Sequence, residues 1–171
     1  MLMSKVLQMK TPLDIRQLIL FVLDHCEPNM GVKKLNKLAF FLEFTYIFHH
    51  TTPLTEAKYA AINMGPVVDN YKDILADMVS REEITVNDRC HQGLTDYIPL
   101  QKSIVNDPAI SNFLLQVLEK YKRLNPKQLE DLSHALDSYN ITIHENSNNM
   151  GGIIDKDLAM LDYSLSLDAV E

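Results

Sequence analysis

The sequence predicts a mainly α-helical α+β fold, a single compact domain of about five or six helices with a small two- or three-stranded β-sheet or hairpin. Three observations lead to this class. Apolar residues recur at helical spacing through most of the chain, two short strand-like runs flank a set of turn residues, and Gly and Pro number only 5 and 7. At 171 residues the chain is long enough for one domain that buries roughly two-thirds of its unfolded surface.

Composition and charge narrow the class of function. Hydrophobic residues make up 46% of the chain and charged residues 23%, which is typical of a globular protein that folds without help. The net charge of −7 is uneven, because residues 1–50 carry +2 and residues 51–171 carry −9. An acidic body disfavours binding to a phosphate backbone, which requires a basic face.

The sequence predicts neither secretion nor a membrane span. The two cysteines, Cys26 and Cys90, are too few for a disulfide framework, and the N-terminus lacks the apolar core of a secretory signal. The longest apolar run, residues 39–48, is about half as long as a bilayer span and contains Glu43. We therefore expect a cytoplasmic protein.

Residues 31–50 are predicted to form the central helix of the domain. Its buried side is a stripe at helical spacing, formed by Leu35, Leu38, Ala39, Leu42 and Tyr46. The opposite side begins with the polar Lys33, Asn36 and Lys37 and continues with the apolar Phe40, Phe44 and Ile47. A helix that is apolar nearly all round is either a hub inside its domain or keeps one face for a partner, and the sequence leaves both possibilities open.

Three further elements are expected before residue 81. Thr11, Pro12 and Asp14 suit the N-cap, N1 and N3 positions of a first helix. Residues 57–63 are expected to form a short strand or an extended run. Pro66 suits the first turn of a helix that reaches about Ser80, because its missing N–H would be unpaired there anyway.

The second half of the chain predicts a hairpin and then more helices. Residues 84–86 and 94–100 read as two short strands of a hairpin or wing. Helices are expected to begin at Asp107–Pro108 and after an Asn125 N-cap, and the latter would bury Leu129, Leu132 and Leu136. Residues 140–152 are turn-rich, and Asp155 is expected to start a short last helix that buries Leu158, Leu161 and Leu165.

No motif for catalysis or cofactor binding is present in the sequence. The chain lacks a glycine-rich phosphate loop, a G-x-S-x-G elbow and an H-E-x-x-H helix. His25–Cys26 and Cys90–His91 supply the atom types of a zinc site, but adjacent helical residues point about 100° apart and rarely converge on one ion. We predict no enzyme activity, no cofactor and no metal site.

The histidines give only weak evidence of catalysis. His49 and His50 end the central helix, where the helix dipole favours an imidazolium and a proton relay is the alternative. His134 and His144 stand alone, and a lone histidine without a positioned carboxylate or nucleophile is weak evidence of catalysis. An enzyme with a site near His49, His50 and Asp77 would rest on residue types alone.

Two charge clusters are candidates for contacts with a partner. Asp69, Asp73 and Asp77 recur at i, i+4 and i+8, so a basic partner or solvent would relieve the repulsion among them. Cationic side chains in the first turns of the central helix oppose its dipole. The partner-binding residues that we predict are Lys33, Lys34, Lys37, Phe40, Phe44, Ile47, Asp69, Asp73 and Asp77.

The central helix and the residues after it resemble the SocA-like antitoxin domain, also called Panacea, of bacterial and phage-associated proteins. The family pattern is a K-L-x-K-L helix, a loop ending in P-L, an acidic residue before a strand, and G-P-V. The matching positions are Lys34, Leu35, Lys37, Leu38, Pro53, Leu54, Glu56, Gly65, Pro66 and Val67. Leu132–Ser133 resembles the family's later L-S segment, although Leu136–Asp137 stand where the family often has Thr-His, and the chain has no tryptophan.

The resemblance implies one such domain over residues 1–171, with its core at about 12–165. It implies a non-enzymatic antitoxin that neutralises a cognate toxin, the product of a neighbouring gene, by direct binding. Leu35, Leu38, Gly65, Pro66 and Val67 would then be structural. The alternative is a DNA-binding transcriptional regulator with a winged helical domain, in which the lysine cluster and the hairpin contact DNA. Occlusion of the toxin and its delivery to a protease both stay open.

Overall fold

The computed structural model describes residues 10–89, 94–145 and 150–168 and confirms a mainly helical α+β fold. In these ranges six α-helices accompany two small antiparallel sheets and two 3₁₀ segments near the C-terminus. The helices are α1 (Ile15–His25), α2 (Val32–His50), α3 (Tyr71–Ser80), α4 (Pro108–Tyr121), α5 (Pro126–His134) and α6 (Asp137–Glu145).

Helix α2 is the hub of the fold and begins and ends where its sequence predicts. Every residue from Leu35 to Ile47 is buried, because α1, α4, α5, a β-strand and the C-terminal 3₁₀ segments all pack around it. Gly31 is its N-cap, and Thr51 ends it in a left-handed conformation with φ 62°. Within the described ranges, no helix combines the length and the apolar character that crossing a membrane would require.

The first sheet confirms the predicted hairpin. Strands β4 (Ile84–Arg89) and β5 (Leu94–Pro99) pair in antiparallel register, with Val86 opposite Tyr97. Strand β1 (Met30–Gly31) pairs with the other edge of β5, so the sheet order is β1-β5-β4. Pro99 ends its strand, as expected for a residue without an N–H donor.

The second sheet corrects the predicted helix start at Pro66. Strand β3 (Gly65–Val68) pairs with β2 (Tyr59–Ile62), which also pairs with β6 (Gly152–Ile153). Pro66 lies opposite Ala61 on an edge strand, where a missing N–H is tolerated. Helix α3 therefore begins only at Tyr71, after a left-handed Asn70 with φ 58°.

The first helix also begins later than predicted. Its N-cap is Asp14, whose Oδ1 accepts the N–H of Gln17 at 2.9 Å, and not Thr11. Leu13 N–H donates to the carbonyl of Leu54 at 3.1 Å, which holds the residues before Asp14 extended against the loop after α2. This tertiary contact, and not the local capping pattern at Thr11, sets the first residue of α1.

The caps of α4 and α5 are as predicted, whereas α6 is not. Asp107 caps α4, and Asn125 forms a capping box with Gln128 at the start of α5. Helix α6 occupies the start of the stretch predicted to be turn-rich. Its N-cap partner is distant in sequence, because Asp162 Oδ1 accepts the N–H of Asp137 at 2.6 Å.

The C-terminal strap, residues 150–168, contains β6 and the two 3₁₀ segments Lys156–Leu161 and Tyr163–Leu165. Asp155 caps the first segment, as its sequence predicts. A 3₁₀ helix has 3.0 residues per turn, so the buried positions follow a spacing of three and not the α-helical one. Leu161 is consequently exposed, contrary to prediction, and Leu132 on α5 is exposed as well.

Candidate functional site

The apolar side of α2 is buried, so the docking-face alternative for Phe40, Phe44 and Ile47 is wrong. All three side chains are at most 3% exposed. The rings of Phe40 and Phe44 lie 4.2 Å apart, and both meet Tyr59 of β2 edge-on at 5.8 and 5.7 Å. These residues form an aromatic cluster in the core, and a partner has to bind elsewhere.

Lys37 is also buried, at 1% exposure, and is therefore not a surface contact. Its Nζ donates to the carbonyl of Pro66 at 2.9 Å and so ties α2 to β3. Burial lowers the pKa of Lys37 from 10.5 to about 8 because it disfavours the charged form, and the carboxylate of Glu130 opposes that shift.

Gly65 makes room for this lysine. Its φ of +88° is a conformation that residues with a Cβ rarely adopt. A Cβ built on it would lie 2.6 Å from Ser133 Oγ and 2.9 Å from Lys37 Cε, both far inside van der Waals contact. The K-L-x-K-L helix, the G-P-V strand and the L-S helix thus meet at one point, which we call the motif junction: Lys37, Gly65, Pro66 and Ser133.

The other motif residues support the same junction. Leu35 and Leu38 are buried in the core, and Val67 is half-buried on β3. Between the two leucines, Asn36 accepts the N–H of Val68 at 2.9 Å through its Oδ1 and donates to Val32 at 3.0 Å. This side chain pairs the edge of β3 with α2.

A second buried polar cluster centres on Glu43, which the sequence marked only as a lone carboxylate. Its Oε1 accepts the N–H groups of Leu54 and Thr55 at 3.0 and 3.1 Å and the Nζ of Lys156 at 2.9 Å, and its Oε2 accepts the Thr55 hydroxyl at 2.5 Å. Lys156 Nζ also donates to the carbonyl of Thr55 at 2.8 Å. Burial raises the pKa of Glu43, and Lys156 counteracts that rise.

The two remaining lysines of the predicted cluster are exposed only in part and are engaged within the chain. Lys33 Nζ lies 2.6 Å from Glu130 Oε2, and Lys34 Nζ donates to the carbonyl of Lys122 at 2.6 Å. Both attach the start of α2 to neighbouring helices. The structure therefore does not bring Lys33, Lys34 and Lys37 together as one basic surface.

The predicted acidic stripe is only partly formed. Asp69 precedes α3, so Asp73 and Asp77 alone lie on that helix. Asp73 stands in the first turn, where a carboxylate is favoured by the helix dipole. Asp77 is half-exposed and pairs with Arg81 Nε at 2.9 Å and Arg16 Nη1 at 3.8 Å. Asp73 and Asp77 keep exposed carboxylates on this face.

The two histidines at the end of α2, His49 and His50, make contacts within the fold. His49 Nε2 accepts the N–H of Leu167 at 3.1 Å, and burial lowers the pKa of His49. Both effects favour the neutral ring over the imidazolium that the helix dipole alone would favour. His50 stacks on Tyr46 with ring centroids 4.1 Å apart. His134 stacks on Tyr139, and His144 is exposed.

No metal centre forms among the residues that the structure describes. Those residues contain no group of three or more His, Cys, Asp or Glu side chains that could hold an ion. Cys90 and His91, two of the four candidate zinc ligands, lie outside the described residues. Burial raises the pKa of Cys26 to about 11, which keeps this thiol protonated at neutral pH.

An open groove of about 1090 Å³ runs beside the Glu43 cluster. Its walls come from residues 10–14, from the loop at 53–58, and from Ile104, Ile153, Ile154 and Lys156. Asp14 and Glu56 face it, but both carboxylates already accept N–H groups at the start of α1. Its polar groups are thus mostly engaged by the chain itself.

Comparison with known protein families identifies the family of this chain. One family description, Antitoxin SocA-like, Panacea domain, matches residues 35–138, which is more than half of the chain. The chain belongs to this SocA-like antitoxin family. No curated protein and no solved structure matches it.

The range matched by the SocA-like family contains the whole motif junction. It also contains Glu43 and Thr55 but not Lys156, their partner on the C-terminal strap. Members of this family are generally non-catalytic. Membership of an antitoxin family implies a protein partner of the toxin class. The motif residues at the junction are buried, and Lys37 Nζ donates to the carbonyl of Pro66, so in this chain they are part of the packed interior.

Sequence reasoning missed Lys156 and Asp162, the two strap residues that reach into the core. Lys156 bonds Glu43 across 113 positions, and Asp162 caps α6 from 25 positions away. The one available signal was Glu43, since a single carboxylate in an apolar helix requires a cation or several donors. Nothing local identified which residue would supply them.

Proposed function

We propose that this protein is an antitoxin that binds a cognate toxin protein directly and neutralises it without catalysing a reaction. The observation that carries the proposal is the family match over residues 35–138. The toxin would be the product of a neighbouring gene, as in a toxin–antitoxin or phage-associated locus, and the two proteins would meet in the cytoplasm.

Charge supports a basic toxin as the partner. Residues 51–171 carry a net charge of −9, and the exposed carboxylate of Asp73 lies on α3 beside Asp77, which is exposed but already paired with Arg81 and Arg16. Complementary charge accelerates the encounter of two proteins and disfavours wrong partners. An acidic surface would therefore speed the capture of a toxin that carries a basic one.

The DNA-binding alternative is weaker because its basic cluster is engaged. Lys37 is buried, Lys33 pairs with Glu130, and Lys34 bonds a carbonyl. Counterion release from DNA requires free cationic side chains along one face. A gel-shift titration at low salt should show no binding, and strongly salt-dependent binding would restore the alternative.

Co-expression tests the proposed function. Inducing the neighbouring gene alone should arrest growth, and co-expression of this chain should restore growth and yield a complex that co-purifies. A variant disrupted at the motif junction, Gly65→Trp, should lose both effects because the scaffold is lost. If the neighbour is toxic and neither rescue nor a complex is observed, the proposal is wrong.

A further inference from the structure

The C-terminal strap exposes more large apolar side chains than its length explains. Five of the thirteen exposed large hydrophobic residues in the described ranges lie on its 19 residues: Met150, Ile153, Met160, Leu161 and Tyr163. Tyr163 is the most exposed of the thirteen, at 79%, while Met160 and Leu161 are 42% and 49% exposed. These three fall within four consecutive positions, and we call them the apolar patch.

The 3₁₀ geometry directs the apolar patch outwards. Positions three apart share one side of such a helix. Ala159, Asp162 and Leu165 are at most 4% exposed and form the inward line of the strap, which Lys156 begins with its bond to Glu43. Met160 and Tyr163 share a second side of the strap and Leu161 lies on the third, and all three are exposed, although the Tyr163 ring also meets the ring of Phe48 edge-on at 5.9 Å.

Hydrogen bonds hold the strap in place at several points along its length. Lys156 is bonded to Glu43, and Asp162 accepts N–H groups at the start of α6. Lys120 Nζ on α4 donates to the carbonyl of Ser164 at 2.6 Å, and Leu167 N–H donates to His49. The apolar patch is thus presented by an ordered backbone, which lowers the entropy lost when a partner binds.

We propose that the apolar patch is the surface on which this protein docks its toxin, an inference that rests on the proposed function. Tyrosine and methionine are enriched in the cores of protein interfaces. The patch lies beyond residue 138, where the family match ends.

Charge around the apolar patch defines the chemistry of the occupant. The exposed charged side chains on the strap are acidic, namely Asp155, Asp157 and Asp168, and the half-buried Lys120 of α4 lies beside them with its Nζ bonded to the carbonyls of Ser164 and Ser166. The toxin should therefore present an apolar centre with Lys or Arg side chains around it. A second copy of this chain fits poorly, because a symmetric contact would bring these carboxylates face to face.

Isothermal titration calorimetry with an inactive variant of the neighbouring toxin tests the inference. Tyr163→Ala and, independently, Leu161→Glu should weaken binding at least about tenfold, as expected for the centre of an interface. Asp157→Lys should weaken it less and should remove part of its salt dependence. Ile104→Ala is the matched control, because Ile104 is also an exposed large apolar residue, at 60%, but does not belong to the strap, and the substitution should leave the affinity within about twofold.

The outcomes separate this inference from the proposed function. If the wild-type chain does not bind the toxin, both fail. If it binds and Tyr163→Ala and Leu161→Glu bind equally well with unchanged circular dichroism spectra, the docking surface is wrong and the antitoxin function stands. Dimerisation of the wild-type chain that Tyr163→Ala abolishes would assign the patch to a second copy and would also overturn the inference.

Discussion

Replacing Gly65 by alanine tests whether the motif junction is a packed scaffold. The substitution adds only one methyl group, yet it places a Cβ 2.6 Å from Ser133 Oγ and 2.9 Å from Lys37 Cε. It also imposes a φ of +88° on a residue that has a side chain. Two separate penalties therefore act at this position.

The size of each penalty follows from general values. A left-handed backbone conformation costs a residue with a Cβ about 1–2 kcal/mol. Overpacking by one methyl group costs about 1–3 kcal/mol when the neighbours cannot move, and Lys37 and Ser133 are both buried. We expect Gly65→Ala to lower the free energy of unfolding by about 2–5 kcal/mol and the melting temperature by roughly 4–20 °C.

Gly151→Ala is the matched control for the backbone penalty. Gly151 has a φ of +100°, but a Cβ there would have no described atom within 4 Å. Urea unfolding followed by circular dichroism should therefore show a loss of only about 1–2 kcal/mol for Gly151→Ala. Combining Gly65→Ala with Ser133→Ala should recover part of the difference. Equal losses for the two glycine variants would refute the packed junction.

Three further predictions concern other buried groups. Glu43→Ala should lower the free energy of unfolding, measured in urea, by about 3–5 kcal/mol, because Lys156 and two N–H groups lose their acceptor. A loss below about 1 kcal/mol would show that Glu43 does not hold these groups together. Asp162→Ala should cost about 0.5–2 kcal/mol and speed hydrogen exchange in α6, whereas Asp162→Asn keeps an acceptor and should cost less. Lys37 has a pKa of about 8 in the fold against 10.5 ordinarily, so between these values the unfolded chain binds more protons and stability should rise with pH. Lys37→Met should remove up to about 1.4 kcal/mol per pH unit of that rise, and an unchanged slope from pH 8 to 10 would disprove the shift.

The elements that the sequence predicted well are those decided locally. The spacing of apolar residues predicts helix α2, and the Asn125–Gln128 capping box predicts the start of α5. Pro66 is ambiguous, because it suits both a first helical turn and an edge strand, and only its pairing with Ala61 decides. Helix α6 is capped by Asp162 from 25 positions away, which no local pattern records.

The candidate site was predictable only in part, for the same reason. The family was identified correctly, but the convergence of Lys37, Gly65 and Ser133 depends on three elements far apart in the chain. Whether Phe40 and Phe44 face a partner or the core depends on Tyr59, which packs against both rings. The prediction that Leu161 faces inward is wrong because it rests on α-helical spacing, whereas this part of the chain forms a 3₁₀ segment.

Hydrogen exchange measured on this protein alone and in complex with an inactive variant of the proposed toxin distinguishes a binding strap from a binding motif junction. If the strap contacts the toxin while the buried motif residues only support the fold, exchange across residues 156–165 should slow on binding and exchange in β3 at the motif junction should not change. Protection confined to β3 and α5, with the strap unchanged, would contradict this expectation.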